Sequence, residues 1–253
     1  MVFVHEFAGD HRSWEAQMRH FSRRYRCVAY SARGYLPSSV PESADDYSQW
    51  RVSEDILCVL NGLGIEQAHV VGLSMGAFAA LHFGMRYATD AAHSRALSLT
   101  LAGCGSGAHP DVHEQFKKDS AALGASLIEK GMQVAGVPYA NGPTRLPLLR
   151  KNPRGHAEFL RQFCEHSALG SGLTSIGYQG RRPSLYTLRE EMAKIAVPTL
   201  ILTGDEDEPC LEPSLMLKRT IPGSRLAVLP ASGHGINLEE PALFNQLIED
   251  FLA

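Results

Sequence analysis

Apolar positions along the chain gather into short runs, separated by stretches with helical spacing. Val2-Phe3-Val4-His5, Arg26-Cys27-Val28-Ala29-Tyr30, Ala68-His69-Val70-Val71, Ala96 to Leu101, Pro198 to Thr203 and Arg225 to Leu229 read as strands. Several are rich in β-branched residues, which suit a pleated and buried surface. Between them, Ser13 with Gln17 near a capping-box spacing predicts a helix to about Tyr25. From Tyr47 to Leu63, the residues Val52, Ile56, Val59, Leu60 and Leu63 share one helical face. Ala77 to Met85, Glu212 to Thr220 and Pro241 to Leu252 complete the helical set. Strands alternating with helices at this spacing predict βαβ units and a parallel sheet.

From about His109 to Lys194 the pattern changes. This stretch is polar and helical, and no convincing strand occurs in it. It is broken at Gly136-Val137-Pro138, Asn141-Gly142-Pro143, Asn152-Pro153 and Gly170-Ser171-Gly172. The expected organisation is a first core part over 1–105, a helical cap over 106–194 and a second core part over 195–253.

Candidate chemistry concentrates where the predicted strands end. Gly72-Leu73-Ser74-Met75-Gly76 reads Gly-x-Ser-x-Gly between a buried strand and a good helix former, the pattern of a sharp turn with serine at its tip. The pentapeptide alone is a weak signal, equally a glycine-rich turn. Its context is stronger, because acid and histidine candidates follow in the order Ser, Asp, His. A serine hydroxyl needs a base in hydrogen-bond reach, and the base needs an orienting acid. His234 stands between glycines just after a strand, so its ring can lie over the sheet end. Asp205, Glu206, Asp207 and Glu208 share one loop. Spacing does not choose among them, and a solvated acidic loop or a weak hard-cation site is the plain alternative. Backbone N–H groups able to meet a developing oxyanion are those of Met75, after the serine, and Phe7, in the loop after the first strand.

Composition narrows the classes. The 253 residues suit one large α/β domain with an insertion, and a net charge of -3 with interspersed signs gives no nucleic-acid footprint. Five scattered cysteines without a Cys-x-x-Cys pair read as reduced core thiols of a cytoplasmic protein. Met1 to Glu6 has no basic region of a secretory signal, and no apolar run is long enough for a membrane span.

With these pieces in place the chain resembles an α/β-hydrolase-fold serine hydrolase, over nearly its whole length except the cap. His5-Glu6-Phe7-Ala8-Gly9 stands for the family's His-Gly-x oxyanion loop, and Arg33-Gly34-Tyr35-x-x-Ser38 for its Arg-Gly-x-Gly-x-Ser turn. Gly72 to Gly76 stands for the nucleophile elbow, Gly204-x-x-Asp207 for the acid loop, and Gly233-His234 followed by Glu239-Glu240-Pro241 for the histidine loop. The resemblance implies a mostly parallel central sheet flanked by helices, with a helical cap insertion. It selects Asp207, and it implies Ser74 as nucleophile, His234 as general base and acid, and Phe7 and Met75 N–H as the oxyanion hole. Two departures stand out. Glu6 replaces the usual glycine, so its carboxylate either points outward or lies near the pocket and affects substrate charge preference or the pKa of His234. The family's N-terminal strand hairpin has no counterpart before residue 2, which leaves the strand at 26–30 as a sheet edge.

The implied activity is cofactor-free and metal-free hydrolysis of a small carboxylic ester or lactone, with elbows of enol-lactonases and C–C bond hydrolases as the similar forms. Dehalogenases and epoxide hydrolases of this fold normally carry aspartate where Ser74 stands. A hydrolase-like receptor that holds a ligand without turnover is the reading from another class. Perhydrolase activity would be a side reaction of the same residues. The expected partner is a small-molecule substrate, not nucleic acid or membrane, and the oligomeric state, a dimer included, is open. Phe159, Phe163, His166, Tyr178, Arg181 and Arg182 are the pocket candidates within the cap. The plain reading makes the aromatics core and the arginines solvated; an arginine that reached the pocket would imply a substrate carboxylate.

Overall fold

A computed structural model describes all 253 residues. Six strands, β1 (Val2–Val4), β2 (Val28–Tyr30), β3 (Ala68–Leu73), β4 (Ala96–Ala102), β5 (Thr199–Gly204) and β6 (Arg225–Leu229), form one sheet. Their order is β2-β1-β3-β4-β5-β6, and every pairing is parallel. β2 and β6 are the edges. The chain leaves β1 for one side and returns on the other, so the switch point falls between β1 and β3. A crevice opens at the carboxyl ends of strands at such a point. Glu6 and Phe7 follow β1 there, and Ser74 follows β3.

Helices α1 (Glu15–Phe21), α2 (Gln49–Gly62) and α3 (Met75–Tyr87) precede β4. Between β4 and β5 the chain forms α4 (Pro110–Lys130), α5 (Val137–Ala140), α6 (Leu146–Lys151), α7 (Pro153–Cys164), α8 (Ala168–Leu173) and α9 (Arg189–Met192), with no strand among them. α10 (Glu208–Thr220), α11 (Ile236–Glu239) and α12 (Pro241–Leu252) complete the chain. Alternation along the strands buries both sheet faces. Val2, Val4, Val70 and Ile201 join Ile56 of α2, Phe78 of α3 and Leu217 of α10 in one core. Phe3, Val71, Leu200 and Leu202 face Phe21 of α1 and Phe244 and Ile248 of α12 in another.

Some local expectations need correction. Ser13 does not cap the first helix. Asp10 caps a 3₁₀ turn at His11–Trp14 that leads into α1, and the Ser13 hydroxyl closes the capping box by accepting the Asp10 N–H. The first strand stops at Val4 because His5 is used otherwise. Its Nδ1–H donates to Glu6 O (2.7 Å), and its Nε2 accepts Ala32 N–H (2.9 Å). This ring ties the β1 loop to the turn after β2. Burial pulls its pKa down to about 4, so it serves as a neutral hydrogen-bond bridge. The cysteines are unpaired as expected, but only Cys104 and Cys210 are core; Cys27 and Cys164 are half-buried and Cys58 is exposed. α10 begins four residues earlier than its periodicity suggests, at Glu208, and the short α11 had no local signal strong enough to read.

The glycines around Ser74 have a steric cause. A Cβ on Gly76 would sit 2.0 Å from Val4 O and 2.7 Å from His5 O, and one on Gly72 would sit 2.2 Å from Gly76 O. Backbone is pressed on backbone, and no side-chain rotation relieves it. Gly76→Ala should therefore destabilise by roughly 3 kcal/mol, the upper range for overpacking. Gly62→Ala, where nothing lies within 4 Å, should hold or raise stability. Chemical denaturation of the two variants checks this; equal stabilities would refute the steric account.

Candidate active site

β3 and α3 meet at Ser74, whose backbone is held at φ 52° and ψ -112°. Serine rarely adopts this region, and the conformation lifts its side chain above the sheet end. His234 lies in the loop between β6 and α11, and Asp207 in the loop between β5 and α10. The structure brings these three distant residues together. Ser74 Oγ lies 2.7 Å from His234 Nε2, and His234 Nδ1 lies 2.7 Å from Asp207 Oδ2. The carboxylate accepts from Nδ1–H, which leaves Nε2 free to accept the serine proton. Asp205 is used differently, accepting the Ser232 N–H at 3.1 Å, and Glu206 pairs with Arg150 at the surface.

Burial by itself would push the His234 ring toward neutrality, but the Asp207 carboxylate outweighs it and raises the pKa above the ordinary value of 6.5. Burial likewise opposes ionisation of Asp207, yet the His234 ring holds its carboxyl below the usual range. Cys210 stands beside the pair, its thiol donating to Gly103 O at 3.4 Å and lying 3.9 Å from His234 Nδ1. Asp207, Cys210 and His234 offer donor atoms within 4.8 Å of one another, close enough to share an ion. The proton on Nδ1 and the strong upward push of burial on the Cys210 thiol oppose metal binding there.

Met75 opens α3, so its N–H has no acceptor within the helix. Phe7 sits outside any element and donates no backbone hydrogen bond within the chain. Two buried tyrosines hold the adjoining carbonyls: Tyr35 OH donates to Phe7 O (2.8 Å) and Tyr178 OH to Met75 O (2.7 Å). The sequence places Tyr35 in a turn and Tyr178 among the pocket candidates, and no local pattern marks either hydroxyl as a donor.

Glu6 does not point outward. It is 1% exposed and forms a bidentate ion pair with the equally buried Arg145, one N–H···O distance being 2.8 Å. Burial would raise the Glu6 pKa, and the guanidinium overrides it to keep the carboxylate charged. Arg145 is contributed by the helical segment between β4 and β5, 139 residues away in sequence. Next to it, Thr144 O accepts the His234 N–H at 3.2 Å. One short turn of that segment therefore contacts both the β1 loop and the histidine loop. Asp10 makes a second tie, to Arg12 and to His166 Nε2 (3.2 Å).

A cavity of about 900 Å³ opens over this cluster. Ser74 and His234 form part of its wall, with Ser106, Tyr139, Thr144 and Arg182. Of the pocket candidates in the helical segment, only Arg182 lines it. Arg181 is exposed and paired with Asp45, while Phe163 and Tyr178 are core and Phe159 borders another groove.

The alpha/beta hydrolase fold family matches residues 1–241. The chain belongs to that family. The alpha/beta hydrolase is 26% identical to 3-oxoadipate enol-lactonase 1 of Acinetobacter baylyi, over 100% of this chain and 88% of the relative. It is 24% identical to carboxylesterase YbfK of Bacillus subtilis, over 100% and 79%. The solved structure of MenH from S. aureus superposes with a TM-score of 0.87 at 22% identity, covering 99% of this chain and 92% of that one. The relatives that this hydrolase resembles include named esterases and lactonases. No helix in it is long and apolar enough to cross a membrane.

Two measurements probe this geometry. The His234 imidazole, followed by NMR, should lose its proton above pH 6.5, since its charged form is favoured. In Asp207→Asn the main raising influence is gone while burial and Arg145 still lower the pKa against the weaker Glu6, so the midpoint should fall; an unmoved midpoint would refute the coupling. Glu6→Gln and Arg145→Met should each cost about 3–5 kcal/mol in denaturation, by stranding or deleting one member of a buried pair. The double variant should cost little more than either single change.

Proposed function

We propose that this alpha/beta hydrolase is a cofactor-free serine hydrolase of small carboxylic esters or lactones. The observation that carries the reading is the continuous relay from Ser74 Oγ through His234 to Asp207, at 2.7 Å and 2.7 Å, on the wall of a cavity. Ser74 is the nucleophile, His234 the general base and acid, and Asp207 the group that fixes the ring's orientation and favours its charged form.

In the first half-reaction Ser74 Oγ bonds to the carbonyl carbon as its proton passes to His234 Nε2. The carbonyl electron pair moves onto oxygen, where the N–H groups of Phe7 and Met75 stabilise it. When that pair returns, the bond to the leaving oxygen breaks, and His234 gives the proton to the departing alcohol or enol. In a lactone this group stays attached to the acyl chain. Water then repeats the sequence on the acyl-enzyme, with His234 taking its proton, and free Ser74 and a carboxylic acid result. The strained serine backbone supports this reading, because a conformation that costs about 1–3 kcal/mol persists where the surroundings impose it, as they do at reactive turns.

The distinguishing experiment combines labelling and turnover. A fluorophosphonate probe should label the wild type and not Ser74→Ala, and turnover of p-nitrophenyl acetate should fall at least about 10³-fold in that variant. Labelling that survives Ser74→Ala, or undiminished turnover, refutes the assignment. A ligand held tightly without turnover would instead mark a receptor, and cleavage of a vinylogous diketone but no ester would mark a C–C bond hydrolase.

A further inference from the structure

Two arginines are buried near the cavity, and they differ in one respect. Arg145 has the Glu6 carboxylate as its counter-ion. Arg182 is 4% exposed, lines the cavity, and takes part in no ion pair. One of its N–H groups donates to Ser106 O. Its guanidinium lies 3.7 Å over the Phe78 ring and 4.7 Å from that of Phe116. Burial pulls its pKa below the usual arginine value, and the groups that oppose this are tyrosines and cysteines, none of them a carboxylate. Aromatic faces and one carbonyl solvate a guanidinium in part, but a desolvated cation is far better met by an anion.

The position of this cation relates to the proposed nucleophile. Phe78 N–H donates to Ser74 O at 3.0 Å, so the residue whose ring lies under Arg182 follows the serine by one helical turn. One turn rises about 5.4 Å. The fixed fork of a guanidinium matches a carboxylate with two parallel hydrogen bonds. Carboxylates also stand near the mouth, at Asp111, Asp119, Glu208 and Glu212, but all four are exposed and solvated. Their field is screened by water, whereas the buried guanidinium acts at short range in a low-dielectric wall.

We infer that Arg182 is the recognition site for a carboxylate on the substrate, so that the molecule cleaved at Ser74 is an ester or lactone that also carries a free acid. This rests on the serine-hydrolase reading. Arg182 holds the acid end while the acyl carbon reaches Ser74, since both residues line the same cavity.

Paired substrates of matched length test this: mono-4-nitrophenyl glutarate and 4-nitrophenyl pentanoate, with kcat/KM measured for the wild type, Arg182→Gln and Arg182→Lys. The wild type should prefer the glutarate at least tenfold. Arg182→Gln should lower the ratio of the two values tenfold or more, chiefly through KM of the charged substrate, and Arg182→Lys should restore part of it. A ratio near or below one in the wild type, or one unmoved by Arg182→Gln, overturns the inference. If Arg182→Gln does not fold by circular dichroism, the wild-type ratio and Arg182→Lys decide.

A binding measurement separates the two layers. Glutarate should bind Ser74→Ala protein in calorimetry, lose that binding when Arg182→Gln is added and keep part of it with Arg182→Lys. Glutarate binding with no ester turned over by the wild type would sink the hydrolase reading and leave the carboxylate site. Turnover of neutral esters with no glutarate binding would do the reverse.

Discussion

The first turn of α3 is pressed against the end of β1, backbone on backbone, and the rest of the site depends on that contact. Gly76 allows it, because any side chain there would occupy the space of Val4 O and His5 O. The approach fixes where β3 must end and how sharply the chain must turn, which is why Ser74 takes a positive φ. It also sets Met75 N–H, at the start of the helix, beside the loop that carries Phe7. The crevice of a parallel sheet is only a place; this contact gives that place a serine and two backbone donors at defined positions. The helix dipole adds a favourable field for negative charge at the same point.

A buried ion pair organises the other side. Replacing the family's glycine by glutamate at position 6 would bring an unpaired carboxylate into the core if it came alone. Arg145 accompanies it, and the two charges neutralise each other where neither meets water. Such a pair gives little net stability compared with apolar packing, but it penalises any arrangement that separates its members. Here it binds the helical segment to the β1 loop, while the neighbouring Thr144 carbonyl holds the backbone of His234. The helical segment is therefore more than a cover. Part of the geometry of the histidine loop is supplied by residues of α6 and the turn before it, as Pro147 and Thr144 pack on Gly233.

What could be read from the sequence follows from how local each signal is. The last strand, Arg225–Leu229, and the last helix, Pro241–Leu252, have the expected bounds, because alternation and an N-terminal proline are contained within each element. The glycine spacing around Ser74 was legible since close approach excludes side chains whatever the partner is. Asp207 needed the family spacing, because four acids share its loop and only the fold brings one to His234. Glu6 with Arg145 was not legible. Local pattern shows that a charge stands at each position, but a pairing across 139 residues exists only after the helical segment has folded over the sheet. The roles of Tyr35, read as a turn residue, and Tyr178, read as a pocket or core aromatic, were hidden for a related reason, since a tyrosine hydroxyl's acceptor is known only in the fold. The helix start at Asp10 was misplaced because Asp10 and Ser13 both suit a cap, and they share the capping box.

The cavity wall carries its own constraint, which concerns charge balance. Desolvating a guanidinium is unfavourable unless something replaces the lost water, and the interior around Arg145 does so within the protein. Around Arg182 the replacement is incomplete: two ring faces and the Ser106 carbonyl lie against it, and the remaining direction is the cavity. An arginine that served packing alone would gain from a carboxylate partner, as Arg33 does with Asp55 and Arg12 does with Asp10 in this same chain. Those pairs are complete without a ligand. On the proposed reading, Arg182 is complete only when the cavity holds an anion. Binding and catalysis would then share one cavity, in which a buried guanidinium without an ion-pair partner and the Ser74–His234 relay both form part of the wall.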